Sequence, residues 1–301
     1  MNLYTQAESN IRKTWLYLFF FLILIIGVGW LFSYYFESPI ILYLAVAISI
    51  LMNFVAYWSS DKIVLAVSKA RPIEKKDNPE LYRVVENLCI TAGLPVPQIY
   101  IIDSLQPNAF ATGRDAKHAV MAVTRGLLEK LERTELEGVI AHELSHIGNK
   151  DTLLQTVVVV LVGVIVVMTD FFFRISFWGG FKKRDSRDSG QLGLILIAIT
   201  VVFAILAPIF AQLIKLAISR KREFLADASG ALLTRYPEGL ARALEKISAD
   251  PNSLSVASDA TSHLYIASPF RGEEKKSWLH KLFMTHPPVE ERIKALRGMQ
   301  I

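Results

Sequence analysis

Cysteine is nearly absent from this sequence of 301 residues: only Cys89 is present. No disulfide can form within the chain, and a cysteine-rich zinc finger is excluded. This usage is compatible with a reducing compartment. The absence of charge is more informative. No Asp, Glu, Lys or Arg occurs over 14–36, 38–60, 152–169 or 190–214, runs of 23, 23, 18 and 25 residues. A helix that crosses a bilayer needs about 20 mostly apolar residues. Core helices of such length ordinarily keep a polar face. The four runs therefore predict four membrane spans. The first run is too long for the apolar core of a signal peptide, and "FSYYFESP" is bulky where a cleavage site needs small residues, so this run reads as a retained anchor.

The rest of the composition agrees. Hydrophobic residues make up 52% of the chain, and the mean hydropathy is +0.35. The net charge of +5 fits lysines and arginines flanking membrane spans better than a nucleic-acid partner. The predicted organisation has four parts. Residues 1–60 form a hairpin of spans at about 14–36 and 39–60, turned at Glu37, Ser38 and Pro39. Residues 61–151 form a polar α+β part. Residues 152–218 form a second hairpin, and 219–301 a mainly helical tail interrupted by a mobile loop over 248–276. Within the polar part, "NPELYRVVENLCITAG" has helical spacing with Gly93 as its stop. "PQIYIID" reads as a strand, and residues 108–131 as strand, turn, strand and helix.

Twelve Lys and Arg residues flank the spans on the side of the N-terminus and both polar parts, against five in the loop between spans three and four. That bias predicts that both polar parts lie in the cytoplasm.

The chemistry centres on "HELSH", residues 142–146. Helical spacing puts His142 and His146 on one face, where both imidazoles can reach one ion, with Glu143 beside them. Two histidine ligands and a glutamate base is the arrangement of a zinc peptidase. Thr134 and Glu137 predict a capping box for this helix, and Gly148 its end. The bland alternative is two histidines packed on an ordinary helix. A catalytic zinc needs a third protein ligand. The position six residues after His146 is Thr152, which excludes the subclass with a third histidine there. Glu223 is the candidate: it lies 77 residues beyond His146, but the second hairpin returns the chain to the face it left. Asp227, four residues on, can orient a ligating histidine. Alternatively, Glu223 and Asp227 pair with Arg220 and Arg222 on a solvated surface.

"HELSH", "SRKREFLADA" and "THPPVEERI", in this order, resemble the HtpX group of membrane zinc metalloproteases, of the same wider family as the CAAX prenyl proteases. The resemblance covers essentially the whole chain. It implies a mainly α fold with a small β-sheet: four transmembrane helices plus a gluzincin-like α+β metalloprotease domain. It implies one Zn2+ per chain, ligands His142, His146 and Glu223, general base Glu143 and supporting Asp227. It places His286 as an oxyanion or substrate donor, and Asn108 and Ala109 on a substrate-binding strand edge. The implied activity is endopeptidase cleavage of membrane proteins in quality control and stress response. The implied location is the inner membrane, multi-pass, with the active site on the cytoplasmic side. A non-catalytic zinc-binding scaffold or sensor is the alternative. A transporter is disfavoured because the spans lack ionisable residues.

Overall fold

A computed structural model describes residues 3–35, 37–161, 163–164, 220–254, 261, 264–268 and 287–299. The segments 165–219 and 269–286 lie outside the described residues, and with them the end of predicted span three, all of predicted span four and His286.

The chain opens with two long helices, α1 (Leu3–Tyr35) and α2 (Pro39–Trp58). Glu37 turns between them with φ 50°, and Pro39 starts α2, where its missing N–H costs nothing. The apolar stretches Glu8–Trp30 and Pro39–Trp58 are long enough to cross a membrane and are only 22% and 11% buried within the protein. Their uncovered surface carries Trp15, Phe19, Phe20, Ile48 and Phe54. Such a surface suits lipid and not water. The hairpin is tied by the Asn53 side-chain amide, which donates to Leu18 O at 3.2 Å, and by stacked Trp15 and Tyr57. The first helix starts well before the predicted span, because the polar residues ahead of the apolar run continue its turns. The second run breaks at Ser59 into a separate helix, α3 (Ser60–Val67).

The polar part is built on a four-stranded mixed sheet. Its strands are β1 (Arg71–Pro72), β2 (Gln98–Ile102), β3 (Ala109–Thr112) and β4 (Val120–Thr124), in the order β1-β2-β4-β3. β2 and β4 run parallel; the other two pairs are antiparallel. β3 is therefore an edge strand. α4 (Pro79–Ala92) is capped by Asn78, whose side chain accepts from the Leu81 N–H, and stops at Gly93, whose φ of 66° suits glycine. α5 (Arg125–Lys130) and α6 (Arg133–Gly148) follow β4.

α6 begins one residue earlier than the expected cap. Glu132 takes the cap position, and its backbone N–H donates to Glu135 at 2.8 Å. Thr134 already lies in the first turn, so the predicted Thr134–Glu137 box does not form. Gly148 is the last helical residue, and the left-handed conformation falls at Lys150.

The sheet separates two cores. On one face Ile99, Ala109, Ala111, Met121 and Val123 pack with the α4 and α6 residues Val85, Ile140 and Leu144. On the other, Ile102, Phe110, Val120 and Ala122 pack with Val64, Val159, Leu264 and Tyr265. The strict alternation follows from the two-residue period of a strand. α7 (Asp151–Leu161) is the described beginning of the third apolar run, and its residues are buried inside the protein. Its buried polar side chains find partners inside the protein: the Thr156 hydroxyl lies 2.7 Å from that of Thr112, and Asp151 lies 3.1 Å from His146.

Three further helices come from the tail: α8 (Arg220–Thr234), α9 (Pro237–Ala249) and α10 (Val289–Arg297). The predicted mobile loop contains a buried piece: Leu264, Tyr265, Ile266 and Ala267 are each nearly inaccessible. Tyr265 meets Phe110 edge-to-face, and its hydroxyl lies 3.2 Å from Ser68 Oγ.

Candidate metal centre

α6 and α8 pack so closely that a side chain on Gly230 would strike the His142 backbone: a Cβ there would sit 2.9 Å from His142 N. This approach puts Glu223, at the start of α8, against the histidine face of α6. One ligand atom each from His142, His146 and Glu223 lies within 4.8 Å of the others. All three are buried. His142 and His146 face each other through Nε2 at 3.2 Å. Glu223 places Oε1 3.6 Å from His146 Nε2 and Oε2 3.9 Å from His142 Nε2. The 77-residue gap is thus bridged in space. The alternative of a solvated surface pairing with Arg220 and Arg222 does not describe the two carboxylates of the "REFLAD" segment, which are buried: Glu223 lies with the histidines and 3.8 Å from Arg292 Nη1, and Asp227 lies with His142 and Arg292.

Behind each histidine stands a carboxylate. Asp227 Oδ1 lies 2.9 Å from His142 Nδ1, at ion-pair range without hydrogen-bond alignment. Asp151 Oδ2 lies 3.1 Å from His146 Nδ1. A carboxylate at Nδ1 favours the proton on that nitrogen and leaves the Nε2 lone pair for a metal. Two Nε2 lone pairs facing each other would repel unless a metal ion or a proton lies between them. Their 3.2 Å separation matches two ligands on a tetrahedral zinc, about 3.3 Å apart for Zn–N bonds of ~2.0–2.1 Å.

The charge balance agrees. Among the described residues, Glu143, Asp151, Glu223 and Asp227 are buried here with two guanidiniums, those of Arg222 and Arg292. With neutral imidazoles two negative charges remain, which a divalent cation balances. The residues therefore fit a metal of zinc type.

The titrations follow from this crowding. Burial, reinforced by Glu223, pushes the Glu143 carboxyl up to about 7, against the pull of His146 and an Ala111 N–H. Burial works against charge on His146, but the Asp151 hydrogen bond and the nearby carboxylates raise it to about 9. Burial lowers His142 despite Asp227. Burial alone would raise Asp227, yet the charge of Arg292 and the His142 contact hold it at about 2.

Three more residues complete the site, and sequence reasoning missed them in this role. Arg292 is fully buried, and its Nε and Nη2 donate to the two oxygens of Asp227 at 2.8 and 2.7 Å. It belongs to "THPPVEERI", a stretch that carried the resemblance without its arginine being singled out. Asp151 closes the polar part, and nothing in its spacing marks it as a partner of His146. Asn10 sits in the first membrane helix, far from any motif.

Asn108 and Ala109 are where the edge strand was expected, but they are buried and already engaged. The Ile266 N–H donates to Ala109 O at 3.0 Å, and Asn108 Nδ2 donates to Ala267 O at 3.1 Å. The chain's own segment 264–268 covers this part of the edge, pinned further by Arg292 Nη1 on Ile266 O at 2.8 Å.

Residues 75–300 match the Peptidase family M48. Proteins described as "Protease HtpX homolog" align over nearly their whole length. That of Thermoanaerobacter pseudethanolicus is 46% identical over 301 residues, covering 99% of this chain and 98% of the relative. That of Pyrococcus furiosus is 47% identical over 287 residues, covering 95% and 94%. The crystal structure of S. mikatae Ste24p superposes with a TM-score of 0.50 at 19% identity, over 97% of this chain and 66% of that one. This last likeness concerns the fold.

Proposed function

This chain belongs to peptidase family M48 and is a membrane metalloprotease, and we propose that it is a zinc endopeptidase acting on misfolded or damaged membrane proteins. His142, His146 and Glu223 hold one Zn2+. The observation that carries this reading is the pair of Nε2 atoms 3.2 Å apart, each imidazole backed by a buried carboxylate and both beside Glu223. When bound, the metal supplies Lewis-acid polarisation of the scissile carbonyl and lowers the pKa of water.

Glu143 is the general base. Its carboxylate takes a proton from the attacking water and gives it to the leaving amine. An acid held at about 7 by burial is suited to both transfers. Asp227 and Asp151 keep the histidine protons on Nδ1, and Arg292 keeps Asp227 ionised. His286 serves as the oxyanion or substrate donor, a role resting on the resemblance of "THPP". An extended substrate adds along the outer edge of β3 at Asn108 and Ala109. In that arrangement its backbone takes the place of the Ile266 N–H on Ala109 O.

The location follows from the charge bias, twelve basic residues against five, which favours an inner-membrane, multi-pass protein with the site on the cytoplasmic side. The uncharged runs 152–169 and 190–214 supply the second hairpin and bring the total to four spans. A role in protein quality control and stress response accords with that placement.

The test is cleavage of an unfolded protein by the purified full-length chain, with and without chelator, against Glu143→Gln. The variant should keep its zinc and lose cleavage by a factor of at least ~10². Undiminished cleavage would rule out the mechanism and favour a scaffold role for the metal.

A further inference from the structure

Asn10 is a polar residue in the first membrane helix, and it is 1% exposed. Burying an amide at this depth is unfavourable unless each of its groups finds a partner. Here each does. Nδ2 donates to Asp151 Oδ1 at 2.8 Å and to Asn149 O at 3.0 Å. Oδ1 accepts from Arg222 Nη1 at 2.9 Å. The partners are not incidental. The other oxygen of Asp151 faces His146 Nδ1. Arg222 precedes Glu223 in the chain, and its Nε stands 3.8 Å from Asp151 Oδ1. One side chain of α1 therefore touches the carboxylate behind His146 on α6 and, on α8, the guanidinium that interacts electrostatically with Glu223.

We infer that Asn10 is a positioning residue of the metal site: it locks the Asp151 carboxylate behind His146 and the Arg222 guanidinium beside Glu223, so that the first membrane helix forms part of the site. The chemistry requires an amide. An aspartate would keep the acceptor for Arg222 but lose both donors and set a second carboxylate against Asp151. A leucine would leave Asp151 and Asn149 each short of a donor, and Arg222 short of an acceptor. A mere tether between the hairpin and the soluble part would not need its bonds to converge on these two supports. The family match begins at residue 75 and so excludes α1, yet the geometry makes α1 necessary to hold the metal firmly.

This inference rests on the metal-site reading, and the experiment separates the two. Zinc affinity of full-length protein in detergent is measured by competition with a chromogenic chelator. His142→Ala should lose zinc; if it does not, the metal-site reading itself fails and the inference falls with it. Asn10→Ala should bind zinc about tenfold more weakly, at the low end of what removal of an outer partner costs. Asp151→Ala should weaken binding at least as much. The double variant should lose less than the two single losses combined, because part of the effect of Asn10 runs through that carboxylate. Asn53→Ala removes a half-buried amide of the same hairpin, the one bonded to Leu18 O, and should keep wild-type affinity. Wild-type zinc affinity in Asn10→Ala, or a full additional tenfold loss in the double variant, would overturn the inference. Should Asn10→Ala fail to fold, Asn10→Gln keeps both ends of the amide one methylene out of place. A few-fold weaker affinity at an unchanged melting temperature then supports the inference, and unchanged affinity overturns it.

Discussion

Replacing Arg292 with Met probes the electrostatics beneath the site. Arg292 is 1% exposed and makes three side-chain hydrogen bonds, two to Asp227 and one to Ile266 O. Met fills similar space without the charge. Its effect is to leave the Asp227 carboxylate buried with His142 as its remaining partner. Asp227 is held at about 2, against an ordinary 3.8. At ~1.4 kcal/mol per unit the difference is worth roughly 2–3 kcal/mol. Because the folded value is depressed, this contribution is complete above pH 4 and is lost as the pH falls through about 2. Breaking one partner of a buried pair adds the stranded charge, for a total near 3–5 kcal/mol. At ~2–4 °C per kcal/mol for a domain of this size, Arg292→Met should lower the melting temperature by about 10 °C at pH 7.5. The assay is thermal unfolding in detergent at a fixed heating rate, in the Glu143→Gln background so that proteolysis does not interfere. Adding Asp227→Asn should recover part of the loss, since the stranded charge goes with it. A drop below ~2 °C, or no recovery in the double variant, would refute the reasoning.

Three other outcomes are expected. His146 is raised to about 9 in the metal-free site, so at pH 7.5 its Nε2 must shed a proton before it can ligate. Zinc uptake should release about one proton from it and tighten as the pH rises toward 9, as calorimetry in buffers of different ionisation heat will show; uptake without proton release would contradict this. Gly230→Ala forces a Cβ within 2.9 Å of His142 N, a backbone atom that cannot yield, and should cost ~1–3 kcal/mol and most of the cleavage activity. Gly148→Ala, where the nearest atom is a leucine methyl at 3.8 Å, should be nearly neutral in the same assays. Burial pushes the Cys89 thiol up to about 11, so alkylating reagents at pH 8 should label it only on unfolding.

Much of the site was legible because its chemistry is written in local spacing. His142, Glu143 and His146 share one helical turn, and periodicity alone places them together. Glu223 was reachable by a topological argument, since a hairpin returns a chain to its starting face. Arg292, Asp151 and Asn10 were not legible. Arg292 and Asn10 matter through contacts across long sequence distance, 65 residues to Asp227 and 141 to Asp151, and Asp151 reaches His146, five residues back, from beyond the end of α6, where helical spacing does not place it. No periodicity encodes such a contact. The β3 edge was read correctly as a strand, while its cover by residues 264–268 was hidden in a segment whose polar composition suggested a loop. The beginning of the third apolar run, α7, is covered by protein, and composition does not distinguish protein from lipid as the covering.

The central claim is that residues from two distant helices, α6 and α8, hold a single zinc. Metal analysis of the purified full-length chain tests it most directly. The wild type should carry about one zinc per chain, and Glu223→Ala, which removes the α8 ligand while leaving both histidines in place, should carry little after dialysis against a mild chelator. Full zinc occupancy in Glu223→Ala would contradict the account.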